Sequence, residues 1–121
     1  MSSAPRSRPK VLFICAHNLS RSLTAERMFA GSSLYDVKSR GVAREARIRL
    51  SARDLGWADQ IFVMEKDHKD RITQEFPDAL QGKKVVCLFI DDLYQPMSPD
   101  LVAVLRERLE PYLTLPEPPA A

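Results

Sequence analysis

No stretch of this 121-residue chain stays apolar long enough to cross a membrane. Its longest aliphatic runs, such as Val85 to Ile90, are the length of a strand, whereas a spanning helix needs about 20 residues. A signal peptide is not expected either, because the polar, Pro-containing Met1 to Lys10 is followed by no apolar segment of that kind. Cysteine is scarce: two, far apart, build neither a disulfide framework nor a zinc site. Nothing resembles a metal-ligand cluster or a Walker-type phosphate loop, so no metal and no cofactor is implied. An excess of one charge is missing too. A net charge of +2, mixed along the chain, gives no electrostatic case for nucleic acid. There is no internal repeat. These absences leave a cytoplasmic protein in a reducing compartment, where a free thiol can act as a nucleophile.

What is present is one ordinary domain's worth of chain, 45% hydrophobic, with its apolar residues in short runs. Residues 1–9 form a polar lead-in expected to be disordered, and residues 115–121 a Pro-rich tail; proline supplies no backbone donor, so neither suits a helix or strand. Between them strand-like and helix-like segments alternate. Lys10 to Cys15 is a continuous apolar run suited to a strand buried on both faces. Asp59 to Met64 and Lys84 to Phe89 are further strands, and Asp36 to Arg40 a weaker one. Helices are expected over Ser20 to Ala30, Ser51 to Ala58 and Lys66 to Phe76. A last one starts at Ser98-Pro99-Asp100, with Ser98 as cap and Pro99 in the first helical position. Alternation of this kind predicts a parallel sheet with helices on both faces.

The chemistry concentrates where the first strand meets the first helix. Cys15-Ala16-His17-Asn18-Leu19-Ser20-Arg21-Ser22 lies at the carboxyl end of a strand, the edge where open α/β sheets bind ligands. A loop turning there into a helix can aim successive N–H groups inward as an anion nest, and the helix adds its positive end. An arginine six residues after the cysteine can return to the same hollow and grip phosphate oxygens with two donors. A cysteine in such a field is favoured as the thiolate. Asn18 tolerates the left-handed backbone that a tight loop needs, and Ser20 and Ser22 can donate to the sulfur or the loop. The alternative is a buried structural cysteine beside a solvated arginine.

Val11-Leu12-Phe13-Ile14-Cys15 with Asn18, Arg21-Ser22 and Thr24-Ala25-Glu26 resembles the low-molecular-weight protein tyrosine phosphatases, as does Trp57 to Glu65 around the third strand. The likeness runs over about residues 10–113 and is dense in motifs only in the first third. It implies a single phosphatase-like domain over 10–114, a three-layer α/β sandwich whose four-stranded parallel sheet has order 2-1-3-4, and a cysteinyl-phosphate intermediate. Cys15 and Arg21 would be catalytic, with Ala16 to Ser22 binding the phosphate of a phosphorylated protein or small phosphomonoester.

The family takes its general acid from an Asp-Pro-Tyr segment after the fourth strand. Ile90-Asp91-Asp92-Leu93-Tyr94 stands there. Aligning Tyr94 with the family's tyrosine selects Asp92, with Leu93 where proline is usual and Asp91 one residue away as competitor. Tyr94 either flanks an aromatic leaving group or packs half-buried at the sheet edge.

Three departures from the family pattern matter. His17 stands where glycine is common, and Ser20 replaces a second loop cysteine, which removes a protective disulfide. The stretch Arg40 to Arg49 is short and lacks the aromatic residue that walls the substrate cleft in the family. Arg44, Arg47, Arg49 and Arg53 form either a solvated face or a basic rim for acidic substrates. Elsewhere Cys87 reads as a buried small hydrophobe, Trp57 as a helix end packed on the core, and His68 as a surface residue. Rival functions are an arsenate reductase, relaying through Cys87 or external thiols, and a phosphocysteine carrier, against which Arg21 and a late aspartate argue. The non-enzymatic rival is a phosphate- or phosphoprotein-binding module.

Overall fold

The computed structural model describes residues 8–117. Expectations for residues 1–7 and 118–121 fall outside them. Strand β1 (Lys10–Cys15), helix α1 (Arg21–Phe29), β2 (Asp36–Gly41), α2 (Ala52–Trp57), β3 (Gln60–Val63), α3 (Lys66–Glu75), β4 (Val85–Cys87) and α4 (Pro99–Leu109) follow in order. All pairings are parallel, in the order β2-β1-β3-β4, with Cys15 opposite Gly41 and Ile14 opposite Val63. The expected sandwich is therefore present. Among the described residues no helix is long and apolar enough to cross a membrane.

The uninterrupted apolar run of β1 has a two-sided explanation. Its side chains alternate between faces. Val11, Phe13 and Cys15 join a core with Phe29 of α1 and Leu101, Leu105 and Leu109 of α4. Leu12 and Ile14 join a second core with Leu55 of α2 and Ile72 of α3. Phe13 stacks between Phe29 and Phe62 at 5.8 Å each. Both faces of β1 are thus anchored, which leaves its carboxyl end a rigid platform for the loop that follows.

Helix ends follow local chemistry. Ser51 accepts from the N–H of Asp54 and that carboxylate answers at the Ser51 N–H, a capping box. Ser98 caps α4 with Pro99 in its first turn, as expected. The ammonium of Lys83 donates to the carbonyls of Gly56 (2.9 Å) and Ala58 (2.6 Å), closing the end of α2. Trp57 is half-buried against the second core, with Lys38 Nζ 4.4 Å from its ring centre. Residues 114–117 form no helix or strand.

Two expectations need correction. His68 is buried, not at the surface. Its Nδ1 accepts the N–H of Glu65 (3.2 Å), so the side chain folds back over the start of α3. The last strand ends at Cys87 rather than Phe89, because Phe89 turns to φ 55°. Cys87 accordingly sits at a strand end, half-buried at the margin of the second core.

Candidate active site

Cys15 ends β1 and is 3% exposed. The chain then leaves the sheet through Ala16 to Ser20 and enters α1 at Arg21. The carbonyls from Cys15 to Asn18 accept from the segment after β2. Cys15 O accepts from the N–H of Val42 (3.0 Å), Ala16 O from Ala43 (2.9 Å) and His17 O from Arg47 (2.9 Å). Asn18 O accepts from Arg47 Nε (3.1 Å). None of the N–H groups of Ala16 to Ser20 donates to an acceptor among the described residues. Peptide units with their carbonyls held outward turn their N–H groups inward, and unpaired amides in a row form an anion-binding nest. Asn18, at φ 59°, makes the required left-handed turn.

The segment after β2 is what clasps these carbonyls, and Gly41 lets it come close. A Cβ on Gly41 would lie 2.6 Å from Ala16 O. Gly41→Ala is expected to destabilise the fold by about 1–3 kcal/mol through overpacking against backbone that has no room to yield. It should also weaken phosphate binding; urea unfolding and calorimetric titration with phosphate check both.

Within the loop, Asn18 Nδ2 donates to Ser22 Oγ (2.8 Å), which lies 2.9 Å from Cys15 Sγ. Among the described residues, the other acceptor near that hydroxyl is Arg40 O at 3.4 Å. The contact with sulfur is the shorter of the two, and either atom can be its donor. Ser20 does not serve the sulfur: its hydroxyl donates to Tyr94 O (3.1 Å), tying the loop to the segment that carries the aspartates.

Arg21 is almost fully buried. Its Nη1 donates to a carboxylate oxygen of Glu65 and to Ile90 O (2.8 Å). Its Nε lies 3.8 Å from Asp92 Oδ1, is buried, and has no hydrogen-bond partner among the described residues. A buried guanidinium N–H left unpaired is costly, and an anion held in the loop would relieve it. Asn18 Oδ1 is the other buried polar atom so placed.

Cys15, His17, Leu19, Ser20, Arg21 and Asp92 line one cavity of about 130 Å³. Asp92 reaches it and Asp91 does not: Asp91 lines a neighbouring hollow with Glu65, Lys66, Asp67 and Phe89. Tyr94 is half-buried against the first core and is absent from the cavity wall, the packing alternative of the two expected for it. None of the four arginines lines the cavity. Arg44 and Arg53 are exposed, Arg49 pairs with Glu75 (3.3 Å), and Arg47 braces the loop from outside. His17 is half-exposed beside Glu45, with Nδ1 3.6 Å from the carboxylate. A larger hollow of about 530 Å³ near Leu80 holds no cysteine, histidine or carboxylate.

Glu65 is the site residue that sequence reasoning missed as a functional group. Its place two residues after β3, at the same carboxyl edge as Cys15, is the signal that could have found it. The hydrogen bond from Arg21 holds its carboxyl below the usual range, against the opposing effect of burial. It therefore stays ionised and orients the guanidinium. Burial pushes His68 down from its ordinary 6.5, aided by the Arg21 charge, while Glu65 and Asp67 pull the other way.

These shifts set a pH dependence of stability. A histidine whose folded pKa lies below its unfolded one takes up its proton more readily when unfolded, so stability falls as pH drops below 6.5. The depressed carboxyl of Glu65 adds stability present above 4.5 and lost as pH falls through its folded value. Urea unfolding at a series of pH values should show the upper loss in wild type and a flatter profile there for His68→Gln.

No family model matches the chain, and neither does any curated protein. Solved structures do. The arginine phosphatase YwlE from Geobacillus stearothermophilus is 24% identical, with 84% of each chain covered and a TM-score of 0.59. The low molecular weight protein tyrosine phosphatase SP-PTP from Streptococcus pyogenes is 15% identical, covering 88% of this chain and 94% of that one, with a TM-score of 0.68. Wzb from Vibrio vulnificus, solved with benzylphosphonate, is 22% identical, covering 86% and 96%, with a TM-score of 0.67. At these identities the likeness establishes a shared fold.

Proposed function

We propose that this chain is a cysteine-dependent phosphomonoester hydrolase of the protein tyrosine phosphatase type, working through a cysteinyl-phosphate. One observation carries the reading: the Cys15 sulfur, the unpaired buried Nε of Arg21 and the Asp92 carboxyl share one small cavity above a loop whose amides are unpaired. The phosphatases of the same fold support it by analogy.

The Cys15 thiolate attacks phosphorus, forming an S–P bond as the bond to the leaving oxygen breaks. Arg21 and the amides from Ala16 to Ser22 take the equatorial oxygens, which carry the negative charge of the transition state. The Asp92 carboxyl protonates the leaving oxygen. Its carboxylate then accepts a proton from water as the water oxygen attacks phosphorus, and the S–P bond breaks to return thiolate and free phosphate. Leu19 on the cavity wall offers an apolar surface to an aryl leaving group. No metal or cofactor enters the scheme.

The substrate is a phosphorylated protein or a small phosphomonoester, and the working unit is the single domain of residues 10–114. Free Cys15 and Cys87 accord with the reducing cytoplasm as its place of action. An arsenate reductase relay is disfavoured by Cys87, which lies on β4 with β3 between it and β1 and lines a different hollow from Cys15.

Hydrolysis of para-nitrophenyl phosphate in the presence of a metal chelator tests the proposal. Turnover blocked by orthovanadate is the expected result. Vanadate binding without turnover of any phosphoester would instead make the site a phosphate- or phosphoprotein-binding module.

A further inference from the structure

Phe89 breaks a local rule. It is a bulky residue at φ 55°, a backbone region such residues rarely adopt, and its side chain is exposed. Around it the chain still pairs with β3. The N–H of Leu88 donates to Val63 O (2.8 Å) and that of Ile90 to Met64 O (2.8 Å). In a regular ladder, donors two residues apart meet acceptors two residues apart. Here they meet acceptors one apart, so Phe89 is an extra residue buckled out of the line, as in a β-bulge that re-aims the chain beside a site.

One side chain spans the buckle. Nη1 of Arg108, in the last turn of α4, donates to both Leu88 O (2.7 Å) and Phe89 O (2.8 Å), while its Nε lies 3.6 Å from the adjacent Glu107. The next residues run straight to the cavity: Ile90 O accepts from Arg21, and Asp92 comes to 3.8 Å from Arg21 Nε. We infer that Arg108 is a positioning residue for the acid. By holding two successive carbonyls it keeps the bulge at Phe89 and so sets the reach of Asp92 toward the leaving oxygen, an inference that rests on the role given to Asp92 above. Arg108 touches no cavity-lining side chain in this role. Arg21 keeps its Glu65 anchor whatever Arg108 does, although its bond to Ile90 O also ties it to this segment.

Steady-state kinetics over aryl phosphates with leaving phenols from strongly to weakly acidic tests this. The proteins compared are wild type, Arg108→Met, Arg108→Lys, Asp92→Asn and the Arg108→Met/Asp92→Asn double variant. Arg108→Met should lower kcat/KM about tenfold on phenyl phosphate and no more than about twofold on para-nitrophenyl phosphate, part of the contribution a general acid makes to expelling the leaving group. Vanadate affinity should stay within about twofold, and Arg108→Lys, which keeps a cationic donor, should recover part of the loss. In the Asp92→Asn background Arg108→Met should change nothing further. An equal fall across the series, an unchanged rate, or effects that add to those of Asp92→Asn would reduce Arg108 to a structural residue. If Asp92→Asn carries the leaving-group signature and Arg108→Met does not, this inference falls alone. If Asp92→Asn lacks it, the acid assignment falls and this falls with it.

Discussion

Serine in place of Cys15 abolishes turnover of para-nitrophenyl phosphate, by at least about 10⁴-fold, the scale seen when a nucleophile that works in concert with its site is removed. A hydroxyl attacks only when a base takes its proton. The neighbour within hydrogen-bonding reach of the sulfur is the Ser22 hydroxyl, itself no base, and His17 at the cavity mouth lies beside Glu45. The cradle, by contrast, is untouched: the outward carbonyls and the Glu65-anchored Arg21 do not depend on the sulfur. Phosphate should bind the Cys15→Ser protein within about threefold of wild type. Single-turnover kinetics and calorimetry check the two halves separately. Full activity in the serine variant would sink the mechanism, whereas loss of anion binding would mean that the loop had collapsed.

Asp92→Asn should lower kcat/KM, which reports the step that expels the leaving group, by about 10²- to 10³-fold with poor leaving groups such as phenol, and far less with para-nitrophenol, which departs without a proton. Asparagine preserves size but carries no transferable proton. Asp91→Asn is the control, since Asp91 faces the neighbouring hollow with Glu65 and Phe89 rather than the one with Cys15. Its rate should remain within about twofold of wild type across the same series. The reverse pattern would move the acid to Asp91 and require the loop after Ile90 to turn over in the complex.

Most of the fold was legible because period and punctuation agreed. Lys10 to Cys15 has no polar residue after Lys10, and the structure buries it between two cores. Ser51 and Ser98 cap the helices they precede, since a cap needs only its own hydroxyl and an N–H a few residues on. The overrun of β4 had a different cause. Lys84 to Phe89 looks like strand throughout, and nothing local announces that Phe89 takes a left-handed turn under two hydrogen bonds from Arg108. His68 sits among charged neighbours and reads as surface, yet its ring covers the N–H of Glu65. Ser20 stands closer in sequence to Cys15 than Ser22 does, but the loop turns it toward Tyr94 O instead.

By itself, then, the chain's order of residues determined the strand that ends in Cys15, the loop that follows and the helix that begins at Arg21. All three depend on neighbours within one turn or one strand. The resemblance to the low-molecular-weight phosphatases pointed to a candidate acid in the segment after the fourth strand, Asp92 or Asp91. Only tertiary structure decided which groups share the cavity. Glu65 and Ile90 O grip Arg21 from 44 and 69 residues away, and Arg47 clasps the loop from 29. Tyr94 turned to the core while Asp92 reached Arg21. Such contacts are set by how a parallel sheet brings the ends of successive strands to one edge. They are also set by which buried donors and acceptors must find each other there, and no short window of residues contains that information.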